Sequence, residues 1–245
     1  MFLSDLHHTS FVMLGLILVF AIVHSGGAAI RSNAEKIIGP RLWRLIFASL
    51  SIPSAIVLIS YFLVHRYDGI RLWNVQGLPG IIPLVWVLTA ISFFFLYPAT
   101  YNLLEIPAVI KPKIRIYGSG IIRISRHPQA IGQILWCFTH ALWIGTTFTL
   151  ITCAGLIGHH LFAVWHGDRR LKEKFGEDFE ELKRQTSVFP FLAVLDGRQK
   201  LKINEFLRPS QLGIVIAVLF FWWAHRYIYS LSQFFIGSPI GDLLG

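Results

Sequence analysis

Six runs of about twenty apolar residues leave this chain few folds to choose from; they lie at roughly 10–30, 42–64, 80–104, 127–145, 147–166 and 209–233. A segment of that length satisfies its backbone groups within hydrocarbon only as a helix. The fourth and fifth runs are separated by Gly145 to Thr147 alone, so they form a tight helical hairpin. The composition agrees: 14% of residues are charged and 54% hydrophobic, whereas a soluble domain carries about 25% charged residues. The expected fold is all-α: a polytopic membrane helix bundle of about six transmembrane helices. It forms a single integral membrane domain over 1–245.

The net charge of +9 invites a nucleic-acid reading. The positions of the basic residues argue otherwise, because they cluster between apolar runs. The loops 31–44, 105–126 and 167–208 hold nineteen Lys and Arg residues; the opposite side holds three, Arg66, Arg71 and Arg226. That asymmetry sets orientation in a bilayer and predicts both termini on the non-cytoplasmic face. The N-terminus lacks the basic n-region of a signal peptide, as expected of a bacterial chain or a trimmed mature form. Cys137 and Cys153 both lie in apolar runs and imply no disulfide framework.

Between the fifth and sixth runs, DRRLKEKFGEDFEELKRQTS places Leu171, Phe175, Phe179 and Leu182 at helical spacing among alternating charges. It reads as an amphipathic surface helix interrupted near Gly176, on the cytoplasmic or stromal side.

Ionisable groups inside apolar helices are costly and mark function. His24 stands in VFAIVHSGGAAI, about 10 Å in from the basic end of its helix at Arg31. The small SGGAA that follows admits a second helix or a flat cofactor; a packing histidine bonded to a carbonyl is the structural alternative. His140 lies in the fourth segment with Cys137 three residues earlier on the same face. His159 and His160 follow in the fifth, about 100° apart, so only one faces a given site. His160 matches the depth of His24 better than His140 does, which makes it the rival metal ligand. Arg126 and His127, before Pro128, sit at the membrane surface, where they suit an anionic headgroup or a cofactor carboxylate. Imidazole, with thiolate as alternate, is a ligand set for haem iron. No Walker loop, HExxH, GxSxG or dinucleotide fingerprint is present.

The segments GIIRISRHPQAIGQILWCFTHALWIG and GLIGHHLFAVWHGDRRLKEKFGEDFEELKRQTSVFPF, with VHSG around His24, closely resemble the 15-cis-zeta-carotene isomerases over roughly residues 15–210. NnrU-type membrane proteins are the broader relatives. The resemblance implies haem b within the membrane and conversion of 9,15,9'-tricis-zeta-carotene to the 9,9'-dicis form. It implies His24 and His140 as catalytic axial ligands and Cys137 as a replacement ligand in one oxidation state. Arg126 and His127 would be cofactor-binding. Ferrous iron with an axial position opened by departure of His140 is the implied reactive state. The implied partners are a carotenoid drawn from the bilayer, the phytoene and zeta-carotene desaturases, and an electron donor. The implied location is a bacterial plasma or thylakoid membrane.

Two other readings compete. The RHP segment and the FGEDFEELKRQTSVFPF ending also resemble isoprenylcysteine and phospholipid methyltransferases. Those carry a paired Glu-Glu where this chain has Gly167-Asp168, which removes a carboxylate expected there. A non-catalytic haem protein for electron transfer or oxygen or nitric oxide sensing would use the same histidines.

Overall fold

The computed structural model describes residues 2–100, 118–206 and 212–236. Lys111, Lys113, Arg115 and Arg208 of the basic loops lie outside the described residues, as does the side chain of His7.

Helices occupy all six apolar segments. Helix α1, Phe2–Ala21, passes through one π turn, Ile22–Gly26, into α2, Gly27–Ile38. Gly39, at φ 81°, ends α2, and Pro40 opens α3, Pro40–His65. Proline suits that first position because its missing donor would have no partner there. Helices α4, Ile81–Thr100, α5, Pro128–Ile144, and α6, Thr147–Phe175, follow. The short α7, Glu177–Gln185, and α8, Leu192–Leu195, precede α9, Leu212–Ile236. His8–Ile38, Pro40–His65 and Thr147–Phe175 are long and apolar enough to cross a membrane; Ile81–Leu96 and Leu212–Ile228 are shorter apolar stretches. The count of six spans rests on the sequence.

The chain divides into two compact units. One comprises Met1–Gly77, His140–His159 and Arg226–Gly245; the other comprises Leu78–Thr139 and His160–His225. Each draws on segments remote in sequence, and the divisions fall inside α5 and α6. No shift in composition marks these boundaries.

In the first unit, the α5–α6 turn is held by the chain that follows α3. Thr146 and Thr149 hydroxyls donate to the Arg66 carbonyl, each at 2.8 Å. Leu72 N–H donates to Gly145 O at 2.7 Å, and the Trp73 indole donates to Leu142 O at 2.9 Å. Gly145 has φ 71°, and a Cβ there would come within 2.4 Å of the Trp73 carbonyl oxygen. Only glycine meets both demands. Leu14 and Ile17 of α1 pack on Gly155 of α6.

In the second unit, Ser92 Oγ donates to Gly132 O at 2.7 Å where α4 and α5 meet. A Cβ at Gly132 would approach Leu96 Cγ to 2.6 Å, so the helices close on this small residue. The extended surface segment is held to the start of α5: Arg126 N–H donates to Ser187 O, Ser125 Oγ to Val188 O and Phe191 N–H to Ile124 O. Gly176, at φ 52°, separates α6 from α7, and Phe179 of α7 is wholly buried. The amphipathic reading and its interruption therefore both hold. Helix α6 runs nine residues beyond the apolar stretch ending at 166, carrying charged residues on its last turns.

Candidate functional site

His24 occupies the middle of the π turn. Such turns insert one extra residue into a helix and recur at functional positions. His24 Nδ1 lies 2.7 Å from Ser51 Oγ of α3, and Ser51 is buried. In the tautomer with hydrogen on Nδ1, the ring donates to this oxygen and the lone pair resides on Nε2. A hydrogen bond of this kind fixes tautomer and ring orientation in metal-ligating histidines. Ser51 stands two residues before Pro53, the one proline inside α3. Proline cannot donate to the carbonyl four residues earlier, so the helix is already irregular at this level.

Aromatic rings enclose His24. Phe20 stacks on it at 5.1 Å between centroids, with 14° between planes, and Phe47 lies tilted at 5.4 Å. Phe20 also meets His159 of α6 edge-on at 5.8 Å. The small residues leave space along the backbone: a Cβ on Gly26 or Gly158 would meet no other atom within 4 Å. A Cβ on Gly27 would touch Phe47 at 3.0 Å.

His140 sits elsewhere along the helices. Its ring meets Phe62 of α3 edge-on at 6.5 Å, and Phe62 stacks on Phe148 of α6 at 6.4 Å. The neighbours of the two histidines lie at different levels on α3 and α6. On α3, Ser51 and Phe62 are eleven residues apart; on α6, Phe148 and His159 are again eleven apart. Each interval amounts to about 16 Å of helix at 1.5 Å per residue. Among the contacts described, His24 is placed by Ser51, Phe20 and Phe47, and His140 by Phe62. The depth reading singles out His160; its neighbour His159 meets Phe20 edge-on.

His65, read from sequence as interfacial, is buried, and its Nδ1 lies 2.7 Å from Asp68 Oδ2. It packs on Tyr61 at 4.2 Å and Phe148 at 6.1 Å, on the His140 side of the unit. Cys137 is fully buried, and Gln133 Nε2 donates to its sulfur at 3.7 Å.

Arg126 and His127 converge on one carboxylate. Arg126 Nη2 donates to Asp168 Oδ2 at 2.8 Å and its Nε to Oδ1 at 3.2 Å, while His127 Nε2 lies 2.6 Å from Oδ1. The fork geometry matches guanidinium to carboxylate in both bonds. The pairing joins the start of α5 to the polar end of α6. Gly167-Asp168 thus keeps one of the two carboxylates that methyltransferases have there, and that carboxylate is engaged within the chain. Arg123 Nε and Nη2 donate to Glu205 at 2.8 and 2.9 Å, and Gly120 N–H adds a third bond at 2.6 Å. These donors hold the Glu205 carboxyl at about 2, well below the usual carboxylate range.

Sequence reasoning singled out His24 but missed Ser51 and the π turn. Ser51 had a signal, a hydroxyl inside the apolar run FASLSIPSAI. The π turn had none.

The chain is similar to two curated plant proteins named 15-cis-zeta-carotene isomerase, chloroplastic. It is 51% identical to that of Zea mays over 232 residues, covering 94% of this chain and 63% of the relative. It is 52% identical to that of Arabidopsis thaliana over 223 residues, covering 90% of this chain and 61% of the relative. The chain thus spans somewhat over three fifths of the length of these relatives. No solved structure matches it. The family model described as NnrU protein matches residues 12–233, nearly the whole of the membrane-embedded sequence, and the chain belongs to the NnrU family.

Proposed function

We propose that this protein isomerises the 15-cis double bond of 9,15,9'-tricis-zeta-carotene to trans, giving 9,9'-dicis-zeta-carotene. The observation that carries this reading is identity above 50% to two plant proteins of that name across nearly all of this chain. The helices support it: an apolar C40 polyene partitions into the bilayer and reaches apolar helix faces without a polar entrance.

Rotation about a conjugated double bond requires its bond order to fall transiently, and no side chain described around His24 supplies an electron-rich centre for that. The site fits haem b as the group that does. The fit rests on His24: with its Nδ1 engaged by buried Ser51, Nε2 would be the atom to hold the iron. Phe20 and Phe47 provide flat apolar surface, and Gly26 leaves room beside the π turn. When bound, haem supplies an electron-rich iron able to weaken the double bond. The chain's own contribution is to present one imidazole in a fixed tautomer, exclude water and accept the polyene from lipid. The conversion gains and loses no atoms and has no net redox change.

The proposed setting is a multi-pass protein of a plasma or thylakoid membrane, termini non-cytoplasmic. There it receives substrate from a phytoene-desaturating enzyme, passes product to a zeta-carotene desaturase and takes electrons from a donor that keeps iron ferrous. The test is co-expression in cells that accumulate 9,15,9'-tricis-zeta-carotene in the dark, with pigments separated by HPLC. A shift to the 9,9'-dicis form is expected. No shift, from membranes carrying haem-loaded protein beside a working control isomerase, moves the assignment to a haem electron carrier or gas sensor.

A further inference from the structure

We propose that the stretch from Phe189 to Ile203 is an interfacial element whose apolar side chains enter the lipid leaflet on the basic side of the membrane, where Lys200 and Lys202 bind anionic lipid headgroups. This role belongs to the second unit and is independent of the cofactor and the substrate.

Three observations converge. The first is level. Arg126 and His127 hold Asp168, so the start of α5 is level with the place where α6 leaves its apolar stretch. Trp165 is the last exposed large apolar side chain of α6, and Arg169, one turn on, is an exposed charge. The edge of the bilayer therefore crosses α6 between them. The stretch is tied to the same place: Arg126 N–H donates to Ser187 O at 2.7 Å and Phe191 N–H to Ile124 O at 2.9 Å. At its other end, Phe206 stacks on Phe94 in the apolar run of α4 at 5.9 Å. Both ends are thus fastened at the membrane surface.

The second is the apolar face. Phe189 is 72% exposed, Leu195 81% and Ile203 73%, while Ala193 between the first two is wholly buried. Helix α8 therefore turns one side to the protein and the other, with Leu192 and Leu195, outward. Large apolar side chains gathered on a surface mark a place that something apolar covers. At this level the acyl chains of the leaflet cover them. Phe191, also exposed, has φ 63°, the one positive value of a non-glycine residue among the described residues. That conformation is costly for a bulky side chain, and the bond to Ile124 O holds it.

The third is charge. The carboxylates here are already occupied within the chain, Asp196 by Arg198 and Glu205 by Arg123. Lys200 and Lys202 are exposed, and neither forms a salt bridge among the described residues; Lys202 lies within electrostatic reach of Glu205, which Arg123 already holds. The run Lys200-Leu201-Lys202-Ile203 alternates cationic and apolar side chains, and Lys202 is extended. Alternate residues of an extended chain face opposite ways. Apolar side chains can then enter lipid while the ammonium groups stay at headgroup level, where a leaflet presents phosphate.

The experiment uses the full chain in lipid nanodiscs. Both native cysteines are buried, so a nitroxide attaches at an introduced thiol. Phe189→Cys and Leu195→Cys place it on the apolar face, and Glu177→Cys places it on the exposed first turn of α7. Electron paramagnetic resonance compares collisions with oxygen, which concentrates in lipid, and with a nickel chelate, which stays in water. Oxygen should dominate at 189 and 195, and nickel at 177. All three side chains are exposed, so the core is left intact, and elution and melting as in the parent verify the fold. Nickel collisions as frequent at 189 and 195 as at 177 overturn the proposal and make this face a site for a soluble protein.

A second measurement reads the headgroups, as association of spin-labelled phosphatidylglycerol relative to phosphatidylcholine with unlabelled protein. Each lysine at an anionic surface is worth roughly fivefold in association. Lys200→Gln with Lys202→Gln should therefore lower the parent's preference for phosphatidylglycerol by at least about fivefold. Lys172→Gln with Lys174→Gln removes the same charge from the last turns of α6, beyond the bilayer edge, and should leave the preference unchanged. No preference in the parent, no loss in the first double variant, or an equal loss in both overturns the assignment of Lys200 and Lys202 to anionic headgroups.

Discussion

Ser51 Oγ lies 2.7 Å from His24 Nδ1, so the histidine set in the π turn is oriented by a hydroxyl from the next long helix. The hydroxyl is buried, so its hydrogen bond is not exchanged for water.

Ser51→Ala removes this orientation without removing the ring that the proposed function makes the haem ligand. Partners of metal-bound imidazoles change affinity by about 10- to 100-fold. We expect haem affinity, measured by titration of the purified protein, to fall within that range while helicity is retained. Ser51→Thr should restore most of it. Equal affinity in parent and Ser51→Ala proteins would show that the contact is incidental.

Asp168 accepts from both Arg126 and His127, and all three side chains are largely buried. Asp168→Ala leaves a guanidinium beside an imidazole with no counter-charge. Breaking such a pair costs about 3 kcal/mol. A thermal melt in detergent should drop by several degrees, with Asp168→Asn intermediate because it keeps one acceptor oxygen. If the Asp168→Ala melt matches the parent, the cluster holds nothing together.

Gly145 turns α5 into α6 with φ 71° and its α-carbon against the Trp73 carbonyl. Gly145→Ala adds a Cβ in a disfavoured backbone region and a clash with backbone that has no rotamer to escape into. A loss above about 1 kcal/mol is expected. Trp73 should report it directly, because its indole donates to Leu142 O next to the turn and its emission will shift as that contact opens.

Acid should loosen the segment 118–125 from 199–206. Arg123 and the Gly120 amide depress the folded Glu205 pKa to about 2 from an ordinary 4.5. Because the folded value is the lower one, the stabilisation is fully present above 4.5 and is lost as pH falls towards 2. Amide exchange in these segments, corrected for intrinsic rates, should rise across that window. In Glu205→Gln the rise should be absent and exchange higher throughout.

Much of the fold is written in local pattern. Apolar runs place the helices, and Gly145 to Thr147 is too short for anything but a hairpin. Gly176 interrupts the charged segment where backbone at positive φ breaks the helix. Each of these follows from interactions within a few residues. The site is less legible. His24 stands out because imidazole inside an apolar run has a desolvation cost that packing alone does not require. Ser51 is less visible, since serine within a membrane helix commonly bonds its own backbone, as Ser54 does to Ser51 O. Asp168 reads as a missing glutamate in sequence and as the hub of an Arg–His–Asp cluster in space.

The sequence by itself determined that the chain is helical and membrane-embedded, where its segments begin and turn, and which ionisable groups lie inside apolar helices. These depend on hydropathy and helical period, both local quantities. Only the tertiary structure decided which of those groups meet. His24 and His140 both stand inside apolar runs; the packing of α1, α3 and α6 sets His24 beside Ser51 and Phe20, Phe20 against His159, and His140 beside Phe62. Level along a bundle is fixed by how one helix slides against another. That depends on ridges, small residues and a single π turn, none of which a residue's own neighbours in sequence reveal.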